Sequence, residues 1–275
     1  MPTSYSDPIS LFNAAVRFLN AEDWPSVADL CDPVSLSSFK RGLIDSLSPP
    51  SPQSQKLPAT DLMKAVPTMP RRVAESRASQ PGLIVVDRDV PGPYQDYLTP
   101  EARVPDKALP YPWEVPMPMA TSWSYAPHDR YKSAHTLIQM LVDVVAKGGN
   151  LLLNIGPGPD GTWDDAAYDR LGALGAWMKV NAEAIYSTRP IPPYAEGKLR
   201  LTRSKNGSVY VIYLPSEGES VLPGSLAVTG IVPAPNAVVT LLGTGRAVRW
   251  QRSGSGFVAE APAGIAPPNR DAWVF

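Results

Sequence analysis

Asp87, Glu101 and Glu114 are carboxylates that the local pattern places at strand ends or in loops, and Trp113 and Trp123 share those segments. Paired Asp/Glu side chains do acid/base and nucleophilic work on a glycosidic bond, and an aromatic face covers the apolar C–H surface of a sugar ring. These residue types, so placed, suit sugar hydrolysis. The other groups that often carry chemistry point elsewhere. His128 falls in a loop and His135 in the first turn of a helix, positions that suit surface or capping roles. Cys31 is the single cysteine, which excludes an intramolecular disulfide and a Cys-based zinc site. With Val27 and Leu30 it fits a helical apolar pattern, the setting of a buried structural thiol. No metal site and no cofactor is expected.

The elements that must position the carboxylates centre on residues 132–186. Ala134, Leu137, Ile138, Leu141, Val144 and Val145 share one face of a helix. Gly148 and Gly149 sit where a left-handed cap would stop it. Leu151 to Leu153 read as a strand buried on both faces of a parallel sheet. A second helix is expected from about Trp163, with Asp164 and Asp165 in the first turn, where negative charge complements the helix dipole. Its inward stripe is Leu171, Leu174 and Met178. Upstream, Leu83 to Asp87 reads as a parallel strand delivering Asp87 and Arg88 at its C-terminal end, and Met117 to Trp123 as the next strand. Three strands about 30 residues apart suggest part of a (β/α) barrel.

From Lys198 the period switches to two. Leu199 to Arg203 alternates, Asn206-Gly207 is a hairpin turn, and Val209 to Leu214 returns. Further strands are expected at 225–231, 237–243, 246–252, 256–260 and 272–275, which makes an antiparallel β-sandwich. At the other end, residues 7–47 carry helical patterns, and Asn20 to Trp24 faintly resembles the opening of the nuclear-transport-factor-2-like fold. Residues 48–58 are a proline- and serine-rich linker. Short helices are expected at Thr60 to Val66 and Pro70 to Ser79. The fold class is therefore α/β plus all-β: a partial (β/α) barrel with a C-terminal antiparallel β-sandwich, preceded by a small helical segment. Its divisions fall at 1–80, 81–190 and 191–275.

The chain has 275 residues, a 44% apolar fraction and a net charge of -1. That composition supports a sizeable core and gives no basic surface for nucleic acid or an anionic membrane. No apolar run approaches the ~20 residues that cross a bilayer. The N-terminal residues lack the basic and apolar regions of a secretory signal, so the chain as written is expected to stay in the cytoplasm.

Six words in order are Ile84-Val85-Val86-Asp87-Arg88, Tyr97-Leu98-Thr99-Pro100-Glu101, Pro112-Trp113-Glu114, Thr121-Ser122-Trp123-Ser124-Tyr125, the block from Gly148 to Pro157, and Ala184-Ile185-Tyr186. By these, residues 82–275 resemble the C-terminal half of the α-L-fucosidases of glycoside hydrolase family 29. The resemblance implies hydrolysis of terminal α-L-fucose from a fucosylated oligosaccharide or glycoconjugate, with retention. Glu101 would be the general acid/base, Arg88 a residue near the sugar, and Trp123 the aromatic packed on the fucose methyl group. Trp113 and Glu114 would either contact sugar or support their loop. Ser124 stands where the family usually has glycine.

Upstream of Asp87 the family's first barrel strands, fucose-binding histidines and nucleophile-bearing Trp-X-Asp word are absent. Asp23, Asp29 and Asp61 lie in helical patterns unlike that strand end. The expectation is weak or no activity for this chain alone, with open barrel edges that self-associate. Full-length members of the family are often secreted or periplasmic. A non-catalytic carbohydrate-binding or scaffold protein is the alternative, and a gene fragment or fusion a third reading.

Overall fold

A computed structural model of the chain describes residues 69–86, 95–261 and 264–275, with side chains from Val73 onward. The expected helices and linker of residues 1–68, Cys31, Asp87 and Arg88 lie outside the described residues. The first described helix, α1 (Met69–Ser79), covers the stretch expected from Pro70.

Four extended segments then run parallel. Val86 bridges Tyr97, Leu98 bridges Trp113, and β1 (Trp113–Pro118) pairs with β2 (Gly149–Asn154) along its whole length. Two sequence expectations need correction here. The strand expected over Leu83 to Asp87 is, among the described residues, a single bridge at Val86. The strand expected at Met117 to Trp123 lies earlier, so Trp113 and Glu114 are strand residues and not loop residues.

The prolines explain the second miss. Pro116 and Pro118 have no N–H to give to a ladder. Glu114 N–H donates to Leu98 O, Ala102 N–H to Pro116 O, and the Lys132 ammonium to Pro118 O. The even-numbered backbone groups of β1 therefore face away from β2. Both prolines waste a donor only on the side where the partner chain is already turning off.

Helix α2 (Ala134–Ala146) connects the two strands. Ser133 caps it by accepting the Thr136 N–H at 3.1 Å, which satisfies an otherwise unpaired first-turn donor. Gly148, at φ +84°, makes the expected left-handed exit. Gly149 is required for a different reason. A Cβ there would sit 2.4 Å from the Trp113 indole, which is 1% exposed and donates Nε1–H to Lys147 O at 3.2 Å. The outer face of the strand pair packs on Val144 and Met140 of α2 through Trp113, Val115 and Leu151. Burying side chains of this size is worth about 1.5–3 kcal/mol each.

Helix α3 (Asp165–Asn181) starts two residues later than expected, and its stripe of Leu171, Leu174 and Met178 does face inward. The remaining strands form two four-stranded antiparallel sheets. One has the order β10–β5–β4–β3 and the other β6–β9–β8–β7. The first contains β3 (Thr188–Glu196), β4 (Leu199–Ser204), β5 (Val209–Tyr213) and β10 (Trp273–Val274). The second contains β6 (Ser225–Val228), β7 (Val239–Leu241), β8 (Arg246–Ser253) and β9 (Gly256–Glu260). They share a core of Leu201, Val211, Leu226, Phe257 and Trp273.

Alternation along β5 then sets the next layer. Val211 and Tyr213 face that core, whereas Tyr210 and Ile212 pack with Ile138, Val142 and Trp177 of the helices. Trp177 Nε1–H donates to Ala272 O at 3.0 Å inside this contact. Asp143 of α2 bridges Lys147 and Arg200 of β4 at 2.7 and 2.5 Å. The parallel strands therefore rest on helices that are themselves held against a sheet.

Candidate functional site

Neighbouring parallel strands run in one direction, so residues just beyond their C-terminal ends lie at the same end of the layer. Glu101 lies three residues past Leu98, exposed, in a turn anchored by buried Thr99 and by the Ala102 N–H bond to Pro116 O at 3.2 Å. Trp123 follows the end of β1 by five residues and is 41% exposed. Both thus leave adjacent parallel segments from the same end. Glu114 and Trp113 do not join them. Glu114 is at the start of β1, about 13 Å of strand from Pro118, and opens on a separate cleft of about 560 Å³ lined by Tyr97, Asn150 and Ile84. Trp113 is core, which favours the supporting role over sugar contact. Arg88 and Asp87 lie outside the described residues.

The loop that carries Trp123 is anchored by residues that the sequence reading did not single out. Its two ends are tied by backbone bonds, Met119 N–H to Asn154 O at 2.8 Å and Lys132 N–H to Met119 O at 3.0 Å. The Lys132 ammonium donates to Pro118 O at 2.6 Å and Ala120 O at 2.8 Å. Burial pulls its pKa down, and the nearby Asp129 charge opposes that shift. Asp129 accepts from the Thr121 hydroxyl, from Ser122 N–H at 2.9 Å and from Arg130 N–H at 2.7 Å. These donors, the Thr121 hydroxyl first, hold its carboxyl at about 2. Its oxygens are committed to the loop, which makes it an anchor and not a free nucleophile. From β2, Asn154 Nδ2–H donates to Trp123 O at 2.7 Å. The only sequence signal for Asn154 was its place directly after Leu151 to Leu153, at the strand's C-terminal end.

A small cavity of about 10 Å³ lies between this loop and the end of β2, lined by Ser124, Tyr125, Asp129, Asn154 and Gly156 among others. Gly156 makes the close fit possible, since a Cβ there would lie 2.4 Å from Tyr125 N. Of the histidines, His128 is exposed at φ +60°, and His135 Nδ1 lies 3.1 Å from Arg270 O and 3.6 Å from Asp271 Oδ1. Among the described residues no group of three or more His, Cys, Asp or Glu is placed to hold a metal ion, and no helix is long and apolar enough to cross a membrane.

The family model described as alpha-L-fucosidase matches residues 60–183, so this chain carries an α-L-fucosidase family segment over that part of its length. Human plasma alpha-L-fucosidase is 34% identical over 169 residues, covering 58% of this chain and 35% of the human protein. An alpha-L-fucosidase from Branchiostoma floridae is 36% identical over 155 residues, 52% of this chain and 32% of the relative. The chain thus spans about a third of the length of these curated relatives.

Among solved structures, the Thermotoga maritima alpha-fucosidase in complex with fucose is 27% identical at a TM-score of 0.56, over 72% of this chain and 46% of its own. Alpha-L-fucosidase isoenzyme 1 from Paenibacillus thiaminolyticus matches at a TM-score of 0.63 and 22% identity, over 92% of this chain and 63% of its own, a likeness of fold alone.

Proposed function

We propose that this chain is an α-L-fucosidase-type glycosidase segment that binds terminal α-L-fucose on oligosaccharides or glycoconjugates. Glu101 is its general acid/base, Trp123 the apolar wall for the sugar, and Arg88 a further sugar contact. The observation that carries the reading is that Glu101 and Trp123 both fall inside the matched family segment and leave neighbouring parallel segments from one end. In this reading residues 81–190 are part of a (β/α) barrel and 191–275 an accessory sandwich.

Retaining hydrolysis needs a second carboxylate about 5 Å from the first. The family's nucleophile word is absent upstream of Asp87, and Asp129 is committed to its loop. The chain by itself therefore binds fucose and turns it over slowly or not at all. Isothermal titration with L-fucose and a nitrophenyl α-L-fucoside assay test this together. Fucose binding that Trp123→Ala removes, with little nitrophenol release, is the expected result. No fucose binding by the wild-type chain overturns the reading. Robust turnover that Glu101→Gln abolishes, but that survives replacement of every Asp in residues 1–80, overturns the missing-nucleophile argument.

A further inference from the structure

The backbone does not stop being satisfied where β1 ends. From Pro118 to Trp123 several of its polar groups are met by side chains, while Met119 is held at both N–H and C=O by backbone. The Lys132 cation takes the carbonyls of 118 and 120, the Asp129 anion takes an N–H of 122 and lies 3.4 Å from that of 121, and the Asn154 amide takes the carbonyl of 123. Each partner has the charge or polarity that its target demands, and together they do for this segment what a neighbouring strand would do. The result is an irregular loop with strand-like restraint and an exposed indole at its tip.

We propose that Asn154, with Asp129 and Lys132, is a positioning residue that holds the Trp123 loop in its binding geometry before sugar arrives. This deepens the proposed function and rests on its assignment of Trp123 to the sugar. The physical logic is preorganisation: a loop already immobilised pays little further ordering cost when a ligand docks on it. Asn154 is the informative member because it reaches across from β2, 31 residues from its target. It is the one side chain of the three that ties the loop to a different strand. Asp129 and Lys132 restrain the loop from its own C-terminal side.

The test uses the full chain and two readouts. In a ¹H–¹⁵N spectrum, the indole N–H cross-peak of Trp123 is the one that Trp123→Ala removes. Asn154→Asp is nearly isosteric but replaces the donor with an acceptor facing Trp123 O. Asp129→Ala deletes the anchor, whereas Asp129→Asn keeps one acceptor oxygen. The expected result is a shifted or broadened Trp123 cross-peak and an about tenfold or larger rise in the fucose Kd in Asn154→Asp and Asp129→Ala. Asp129→Asn recovers part of both, and the melting temperature of Asn154→Asp stays near wild type.

If Trp123→Ala abolishes fucose binding while Asn154→Asp and Asp129→Ala bind as wild type with an unmoved cross-peak, the positioning role is wrong and the sugar site stands. If the wild-type chain does not bind fucose, the sugar assignment fails, and an unmoved cross-peak in the variants would also refute the clamp.

Discussion

Gly156→Ala probes the fit between β2 and the Trp123 loop with a single methyl group. The added Cβ would lie 2.4 Å from Tyr125 N, 2.6 Å from Ser124 C and 3.0 Å from Tyr125 Cα, all backbone atoms. Such contacts do not fall below 3.0 Å in folded proteins, so the Ser124–Tyr125 peptide must retreat by roughly 0.6 Å or more. Neither side yields easily. The strand exit is held by the Met119 N–H bond to Asn154 O, and the loop by Asn154 and Asp129. Overpacking of this kind costs about 1–3 kcal/mol. Alanine also restricts the unfolded chain, a gain of about 0.4–1 kcal/mol where the native backbone accepts it. Gly156 is not in the left-handed region, so both terms apply and the steric one wins by about 1–2 kcal/mol.

Thermal melting should therefore show a loss of several degrees, at about 2–4 °C per kcal/mol for a unit of this size. Titration should show weakened fucose binding, because a displaced loop no longer presents Trp123 in its preorganised geometry. A variant that melts and binds as wild type, with the Trp123 indole resonance unmoved, would refute the reasoning. It would mean that the loop is loose enough to absorb the methyl group.

Two further outcomes follow from the same structure. Gly172→Ala, on exposed α3 backbone with nothing within 4 Å of the new Cβ, should raise stability by about 0.5–1 kcal/mol, a change opposite in sign to Gly156→Ala and readable in the same melt. The Asp129 and Glu219 carboxyls are both held down at about 2, the first chiefly by the Thr121 hydroxyl and the second chiefly by Lys198. Each folded-state value lies below that of the unfolded chain, so the contribution is complete above the ordinary carboxylate range and is lost as the pH falls through it toward about 2. Melting temperature should hold down to about pH 5 and decline below it, with part of that decline missing in Asp129→Asn. A decline that begins above pH 5 and is unchanged in the variant would contradict this account.

Much of the scaffold was legible from local pattern. The helix at 134–146, its glycine cap, the strand after it and the inward stripe of α3 all follow from spacing within a dozen residues. The change of period at Lys198 likewise announced the antiparallel sheets. The site was legible only as words. Glu101 lies in a turn past its parallel segment, whereas Trp123 was expected to close a strand and lies in the loop beyond it, and Trp113 and Glu114 were placed on a loop that is a strand. Asn154, Asp129 and Lys132 were passed over, because their partners lie up to 31 residues away and spacing does not encode them.

The two strands that sequence reasoning misplaced or missed are both rich in proline, and one physical point accounts for both. β1 carries Pro116 and Pro118, and β3 carries Pro190, Pro192 and Pro193. A proline argues against a strand because it removes a ladder donor, but the penalty falls only on the side to which that donor would have pointed. In β1 that side faces the departing 97–102 segment. β3 is the last strand of its sheet, and its register shifts between Pro190 and Ala195, so the ladder with β4 is interrupted where the prolines crowd. Which lateral side of a strand is empty is a property of the assembled sheet, absent from any window of the chain. The proline in the sixth position of β1 then has a further consequence. With no further strand pairing beyond Pro118, the chain is released to form the loop whose backbone Lys132, Asp129 and Asn154 hold. The residue that made the strand hard to read is also the one after which the candidate sugar-binding loop begins.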